Sequence, residues 1–554
     1  MPKKSASFVF ISGGVLSSLG KGITTASIAF LLKNRGYKVT VVKCENYLNQ
    51  DAGLINPTEH GDTFLCEDGT EADMDLGTYE KFLDQNLGFN NFVTMGQIYK
   101  SVLDKERDFF YQGEDVEAIP HVTDEILERI QAAGKLDQAD IVIVELGGTA
   151  GEYQNVLYYE ASRILNLKHN KTTLHIHVSY MPTPPHIGEP KTKPTQLSVK
   201  ILNSQGIQPD FIVARGQDSI DDRRRERFAL FCNVIPENII DNPDLETVYE
   251  LPLIFDKQKF DQKILQALNL EAKTSNLNQW KKNVKLIKSK KQSTVEIVIV
   301  GKYFNTGEYQ LRDSYAALFD ALDHAATHSN YNLNVRWVSS KQLETGDTSS
   351  LKGVGGIIVP IGWGSRGVEG KINAIKHART QKIPYLGLCY GMQLAAVEFA
   401  RNVCGLDSAH TKEVDPNTPH PIIHNIPFDP KYQKIKGDGT SMRLGAFDCV
   451  LQPNSLAHNI YNLHHMFLDK PKNLISERHR HRFEFNNQYR EVLSEKGFVI
   501  SGTSPDDFFV EMVELSQKDH PFFLATQAHP EYKSRPLKPH GIFLEFLNAS
   551  NHHK

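Results

Sequence analysis

Cysteine is scarce in this sequence and none of it is paired. Six cysteines are scattered through 554 residues (Cys44, Cys66, Cys232, Cys389, Cys404, Cys449). None belongs to a Cys-x-x-Cys pair, which argues against a zinc ribbon or a disulfide framework. Long apolar runs are missing too: none approaches the roughly 18 residues a membrane helix needs. The start, Met1-Pro2-Lys3-Lys4-Ser5, leads into a strand-like segment and not a cleavable signal. A cytoplasmic protein without membrane association is expected. Nor is there an excess of one charge. Lys plus Arg (62) and Asp plus Glu (66) nearly cancel to a net −4, short of the basic excess of a nucleic-acid binder, so an anionic ligand must be met locally. No repeat of fixed period is present. The remaining composition, 40% apolar and 23% charged, is that of a folded globular protein. At roughly 150 residues per domain, the length predicts two to four domains.

Phe8 to Ile11 reads as a buried strand, Ile23 to Asn34 as a helix and Lys38 to Lys43 as the next strand, which together make a βαβ unit. Strand signals recur at 141–144, 173–178 and 211–213, so the first half is expected to be a mostly parallel α/β domain. Residues 271–293 are polar, end in the basic run Lys288-Ser289-Lys290-Lys291, and have the composition of a linker. Strand signals then resume at 295–300, 356–359 and 385–388. The expected plan is a domain over 1–270, a linker over 271–293 and a second α/β domain over 294–554.

Between the first strand and the first helix lies Ser12-Gly13-Gly14-Val15-Leu16-Ser17-Ser18-Leu19-Gly20-Lys21-Gly22-Ile23-Thr24. Glycines there let backbone N–H groups close around phosphate oxygens. The helix N-terminus adds partial positive charge and Lys21 a full one. The spacing is not the strict G-x-x-x-x-G-K-[ST] pattern, and a structural glycine turn is the alternative reading. Phosphoryl transfer also calls for a divalent ion on hard carboxylates. Glu145, at the end of an apolar strand and before Gly147-Gly148-Thr149-Ala150-Gly151, is one candidate; Asp75, in the acidic stretch Glu71–Gly77 read as a loop, is another. Lys191-Thr192-Lys193-Pro194-Thr195-Gln196 offers two cations and an amide for a second anionic nucleotide, or is a plain surface loop.

In the second half, Gly387-Leu388-Cys389-Tyr390-Gly391 follows an apolar strand and opens a helical run. It is the thiol counterpart of a nucleophile elbow, with glycines permitting the sharp turn and the helix N-terminus favouring thiolate. Gln527-Ala528-His529-Pro530-Glu531 supplies a histidine to shuttle the proton and an acid to orient it. The turn Pro360-Ile361-Gly362-Trp363-Gly364 can present one backbone donor to an oxyanion, and Tyr390 N–H the other. Together these residues suit acyl transfer from an amide.

Gly13 to Gly22, Glu145 to Thr149, Lys191 to Gln196, Gly387 to Gln393 and Glu477-Arg478-His479-Arg480-His481-Arg482, taken in order, resemble the CTP synthase family over nearly the whole chain. The resemblance implies a P-loop-type parallel-sheet synthetase (amidoligase) domain followed by a second, flavodoxin-like α/β domain of the class I glutaminase type. It also implies a reaction. ATP phosphorylates the uracil 4-oxygen of UTP, glutamine hydrolysed at Cys389 releases ammonia, and ammonia follows an inter-domain path to displace the phosphate, giving CTP. By position, Ser17, Leu19, Gly20, Lys21, Gly22, Ile23 and Lys43 match ATP-binding residues, and Asp75 and Glu145 match Mg²⁺ ligands. Ser17, Glu152, Tyr153, Gln154, Lys191, Lys193, Gln196 and Arg227 match the UTP and CTP positions. Gly362, Tyr390, Gln393, Glu413 and Arg480 match glutamine-binding positions. Arg366 and Glu369 match a lid where GTP acts as allosteric effector; from the residues alone they read as a solvated loop. The family further implies homodimers, homotetramers and filaments.

The chain departs from the family pattern in places. Cys44 to Tyr47 and Asp51 to Pro57 replace its usual substrate-loop residues, and Gln154 lacks a usual carboxylate. Arg227 stands for a lysine, whose reach a guanidinium does not copy. Ile361, Trp363, Tyr390 and Ala528 alter the bulk around the thiol. Two other readings therefore stay open from sequence: a paralogous amidoligase with another acceptor, such as a modified nucleotide, and a non-catalytic scaffold or filament subunit.

Overall fold

A computed structural model of the chain describes residues 6–169, 172–302, 305–306, 309–310, 312–427 and 441–553. The chain divides into two compact units, one containing the residues up to Ala52 and Asp75–Ile287, the other Gly53–Met74 and the residues from Lys288 onward.

The strands of the first half are β1 (Ser7–Gly14), β2 (Val39–Glu45), β3 (Thr63–Leu65), β4 (Glu71–Asp73), β5 (Phe92–Thr94), β6 (Ile141–Leu146), β7 (Thr173–Tyr180), β8 (Phe211–Gly216) and β9 (Ile239–Pro243). Seven of them form the sheet of the first unit, in the order β5-β2-β6-β1-β7-β8-β9, and every pairing is parallel. Helices cover a parallel sheet on both faces, so its strands read as unbroken apolar runs. All eight residues of β1 are buried. Phe10, Val42 and Val144 pack with Ile126 and Ile130 of the helix Thr123–Leu136.

In the second unit the strands continue as β10 (Ser293–Gly301), β11 (Asn305–Thr306), β12 (Tyr309–Gln310), β13 (Tyr331–Ser339), β14 (Gly356–Val359), β15 (Tyr385–Leu388), β16 (Ala409–Thr411) and β17 (His420–Asn425). After these come β18 (Arg443–Leu451), β19 (Leu474–His481), β20 (Phe483–Phe485), β21 (Phe498–Thr503), β22 (Val510–Leu515) and β23 (Phe523–Thr526). Nine of them form one sheet, β13-β10-β14-β15-β23-β22-β21-β18-β19. It is parallel from β13 to β23 and antiparallel from there to β19. Successive side chains of a strand face opposite layers. Val298 and Val300 join one core layer and Ile297 and Ile299 the other.

Two expectations and one alternative reading are revised. Residues 278–288, expected as linker, form a helix. Trp280, Val284 and Ile287 recur at helical spacing, and Trp280 packs at a tilt on Phe30 (4.2 Å) and Phe82 (5.2 Å) while its Nε1 donates to the Tyr249 carbonyl at 2.8 Å. Asp75 lies in the first turn of the helix Met74–Leu83, whose face of Leu76, Tyr79 and Phe82 is buried. Lys193 and Gln196 open the helix Lys193–Ser204, with Pro194 in its first turn, where the missing N–H costs nothing. In addition, the hairpin β3–β4 packs within the second unit. Leu65 O accepts from Arg478 at 2.8 Å, Thr63 O from Tyr532 at 2.9 Å and Glu67 O from the Ala446 N–H at 2.8 Å.

Candidate active sites

In open α/β sheets, ligands bind beyond the carboxyl ends of the strands. β1 ends at Gly14, and the loop to the helix Lys21–Asn34 takes positive φ at Val15 (83°), Ser18 (54°) and Gly20 (88°). Ser17 is exposed on it, Leu19 is buried, and Gly22 and Ile23 begin the helix. The Lys21 side chain folds back over the loop: its Nζ donates to Gly148 O, and a Cβ on Gly13 would lie 2.7 Å from Lys21 Cδ. Burial, then the charge of Lys43, lowers the Lys21 pKa.

The register of β2 on β6 places Lys43 beside Glu145. Glu145, Asp75 and Glu45 surround Lys43 Nζ at 2.8, 2.5 and 3.1 Å. Burial opposes the ammonium charge, but the carboxylates outweigh it and hold its pKa well above the ordinary lysine value. Tyr79 donates to the second oxygen of Glu145. A Cβ at Gly22 would stand 2.2 Å from Asp75 Oδ1, so the acid is pressed against the start of the helix Lys21–Asn34.

Of the residues matched to the UTP and CTP positions, Glu152 turns inward and accepts from the Thr149 N–H (2.8 Å) and hydroxyl (2.7 Å), while Tyr153 and Gln154 are exposed. Gln196 is buried and donates to Thr192 Oγ1 at 3.1 Å. Lys191 pairs with Glu189 at 3.1 Å, and Lys193 Nζ lies 5.6 Å from the ring centre of Phe231, on the helix that carries the exposed Arg227. A buried relay that sequence reading missed joins the helix Lys193–Ser204 to β1. The register of β1 on β7 puts Ser12 opposite His177; Ser12 Oγ lies 2.8 Å from His177 Nδ1, and His177 Nε2 lies 2.7 Å from Ser198 Oγ. Only burial beside sheet-register partners could have flagged it, and register is invisible in one sequence.

In the second unit, the loops after β14, β15 and β23 meet because these strands are neighbours in the sheet. Cys389 joins β15 to the helix Tyr390–Asn402 with φ 52° and ψ −98°, a strained conformation of the kind that clusters at active sites. Both flanking glycines are sterically required: a Cβ on Gly391 would lie 2.0 Å from Val359 O, and one on Gly387 2.7 Å from Tyr385 Oη. The thiol is buried, and Gln527 Nε2 donates to its sulfur at 3.5 Å. His529 is fully buried, and its Nδ1 is 2.7 Å from Glu531 Oε1. Burial disfavours the imidazolium, yet the neighbouring Glu531 and then Cys389 outweigh it and lift the His529 pKa to about 10.

A cavity of about 540 Å³ is lined by Gly362, Trp363, Gln393, Glu413 and Arg480 together with Gly53–Pro57, and the Cys389 sulfur lies behind it, 3.8 Å from Arg480 O. Glu413, its pKa raised by burial, accepts from the Gly364 N–H at 2.7 Å. Arg480 donates to Glu71 at 2.6 Å and to Gly53 O at 2.9 Å, and lies 4.6 Å from the Trp363 ring centre. Arg366 is exposed and donates to Lys302 O at 3.1 Å. Glu369 is not a loose loop residue: it lies in the first turn of the helix Val368–Gln381, bonded to Arg401 (2.9 Å) with His410 at 3.5 Å, and these partners hold its carboxyl near about 2.

Comparison with known proteins places both halves of the chain in one family. Residues 7–270 match the family model for the CTP synthase N-terminus, and residues 310–549 that for class I glutamine amidotransferases. A CTP synthase of Caldanaerobacter subterraneus is 47% identical, covering 98% of each chain. The chain belongs to the CTP synthase family. A CTP synthase of Pyrococcus furiosus is 44% identical over 99% of this chain and 98% of its own. The solved glutaminase domain of Trypanosoma brucei CTP synthase with bound acivicin is 33% identical, covering 47% of this chain and 95% of its own, with a TM-score of 0.41. Membership brings glutamine-dependent conversion of UTP to CTP, a C–N ligase reaction. Among the described residues, no helix is long and apolar enough to cross a membrane.

Proposed function

We propose that the chain carries out its reaction as two half-reactions, one in each unit. The observation that carries this reading is the strained thiol at 389 with a His529–Glu531 pair beside a cavity, on the same polypeptide as a lysine-bearing phosphate loop.

In the second unit, glutamine occupies the cavity, with Arg480 and Glu413 near its charged end and Gln393 and Gly362 along its length. The Cys389 thiolate attacks the side-chain amide carbon, and the N–H groups of Gly362 and Tyr390 stabilise the oxyanion. His529, kept protonated by Glu531, gives its proton to the departing ammonia; water, deprotonated by the imidazole, then hydrolyses the thioester to glutamate. In the first unit, the UTP 4-oxygen attacks the γ-phosphorus of ATP and ADP leaves. Ammonia then adds at C4 and phosphate departs, giving CTP. Ammonia is used without release to bulk water, which would protonate it and hydrolyse the phosphorylated intermediate.

Lys21 and the backbone of the phosphate loop hold the ATP phosphates, and Lys191, Lys193, Gln196 and Arg227 meet UTP. Asp75 and Glu145, hard oxygen donors both within 2.8 Å of one ammonium nitrogen, converge closely enough to hold Mg²⁺. Such an ion takes one or two carboxylates and leaves room for phosphates and water; held by these two residues it would neutralise triphosphate charge. GTP acts at Arg366 and Glu369, subunits associate as dimers and tetramers that extend into filaments, and the cytoplasm, where free thiols stay reduced, is the compartment.

The test is Cys389→Ala in the full chain. Glutamine-dependent CTP formation, followed by ultraviolet absorbance, should fall at least about 10³-fold, while ammonia-dependent formation persists. Loss of both, or of neither, refutes the division.

A further inference from the structure

Lys371 is a fully buried lysine to which the chemistry above gives no task. It lies in the helix Val368–Gln381, and its ammonium reaches under the turn that follows β14. Nζ donates to Pro360 O at 2.7 Å and approaches Ile361 O at 3.4 Å. A Cβ on Gly362 would stand 3.0 Å from the same nitrogen, and the ring centre of Tyr390 is 5.4 Å away. Among the described residues no carboxylate pairs with it. Burial, reinforced by Lys302, pushes its pKa well below the usual lysine value, with Cys389 and Glu413 acting against this. A buried, unpaired ammonium is costly, and a methylene chain would fill the same space without that cost.

We propose that Lys371 is a positioning residue for glutamine hydrolysis, which holds the Pro360 and Ile361 carbonyls so that the Gly362 N–H is presented to the oxyanion. The peptide plane is the reason. In a trans peptide the carbonyl of Ile361 and the N–H of Gly362 point to opposite sides. Anchoring that oxygen toward the helix turns the hydrogen toward the face on which Gly362 lines the cavity. Tyr315 reinforces the anchor by donating to Ile361 O at 3.3 Å, and Lys302 holds the far end of the turn through Trp363 O (3.0 Å) and Gly364 O (2.5 Å). The carbonyls on both sides of Gly362 are thus fixed by donors from below. Preorganised donors cost no reorganisation when charge develops.

This inference rests on Cys389 acting as the nucleophile of an amide hydrolysis, so the wild-type enzyme is assayed alongside; absence of glutamine turnover there defeats that reading itself. With wild-type turnover established, Lys371→Met in the full chain should lower glutaminase kcat by about 10- to 100-fold, part of the loss seen on deleting an oxyanion donor. The glutamine KM, the ammonia-dependent rate, and alkylation of Cys389 by iodoacetamide, which forms no oxyanion, should each stay within a few-fold. Tyr315→Phe, which keeps the ring and removes the second anchor together with the acceptor of the Lys302 N–H (3.1 Å), should show the same signature more weakly and serves as the test should Lys371→Met not fold. Unchanged kcat overturns the proposal. So does a parallel fall in kcat, ammonia-dependent rate and alkylation, which marks a general structural role.

Discussion

Glu531 sits two residues from His529, yet its effect reaches the thiol. It holds the imidazole through Nδ1 and is the first of the groups that raise its pKa against the penalty of burial. Glu531→Gln removes that charge, so His529 loses its proton at lower pH. The alkaline limb of glutaminase kcat/KM, expected near 10 in the wild type, should move down by about one to three pH units; a pH profile of glutamate release checks it, and an unmoved limb contradicts the assignment. Linkage has the same sign. The raised pKa lends the fold stability that is complete below pH 6.5 and disappears as the pH rises through about 10. Cys389, His529 and Glu531 were legible in the sequence because the elbow and the His-x-Glu spacing are local. Lys371 was not: in Gly370-Lys371-Ile372 it looks like any helix-surface lysine, and only the packing of its helix turns it inward.

The helix Asn278–Lys288 is the clearest gap between the sequence and the structure at the scale of elements. Its composition is that of a tether, but one large ring carries its attachment. Trp280 is 2% exposed and packs against Phe30 and Phe82 at a tilt and edge-on against Tyr249. Trp280→Ala should destabilise the first unit by about 3–5 kcal/mol, read as a lower midpoint in denaturant, with the glutaminase reaction unaffected. An unchanged midpoint would mean the helix is dispensable. Long apolar strands such as Ile141–Val144 were placed correctly to within a residue or two, because a buried parallel strand leaves an unbroken apolar signature. Asp75 was read as a loop residue, and a surface loop was the alternative reading of Lys193, because Gly77 interrupts the one helix and Pro194 opens the other, so each is recognisable only by what packs later along it.

For the whole molecule, the notable feature is that the chain leaves the first unit after Ala52, builds β3–β4 within the second, and returns at Asp75. Glu71, on that excursion, is 1% exposed and pairs with Arg480. Glu71→Ala leaves the buried guanidinium with Gly53 O in place of a carboxylate. The second unit should lose about 3 kcal/mol, the low end for a broken buried pair, and the glutamine KM should rise; thermal unfolding and glutamine titration check both, and an unshifted transition would show the pair to be neutral. No local pattern marks residues 53–74 as belonging elsewhere, since an excursion is defined by contacts made hundreds of positions later. The amino-acid order alone settled the two α/β halves, the glycine-rich loop before Lys21 and the sharp turn at Cys389, because backbone freedom and hydrophobic period act over a few residues. Only the tertiary structure decided which strands lie side by side, and with that the pairing of Lys43 with Glu145, the relay through His177 and the lysine beneath Gly362, because sheet register and burial are properties of the folded chain as a whole.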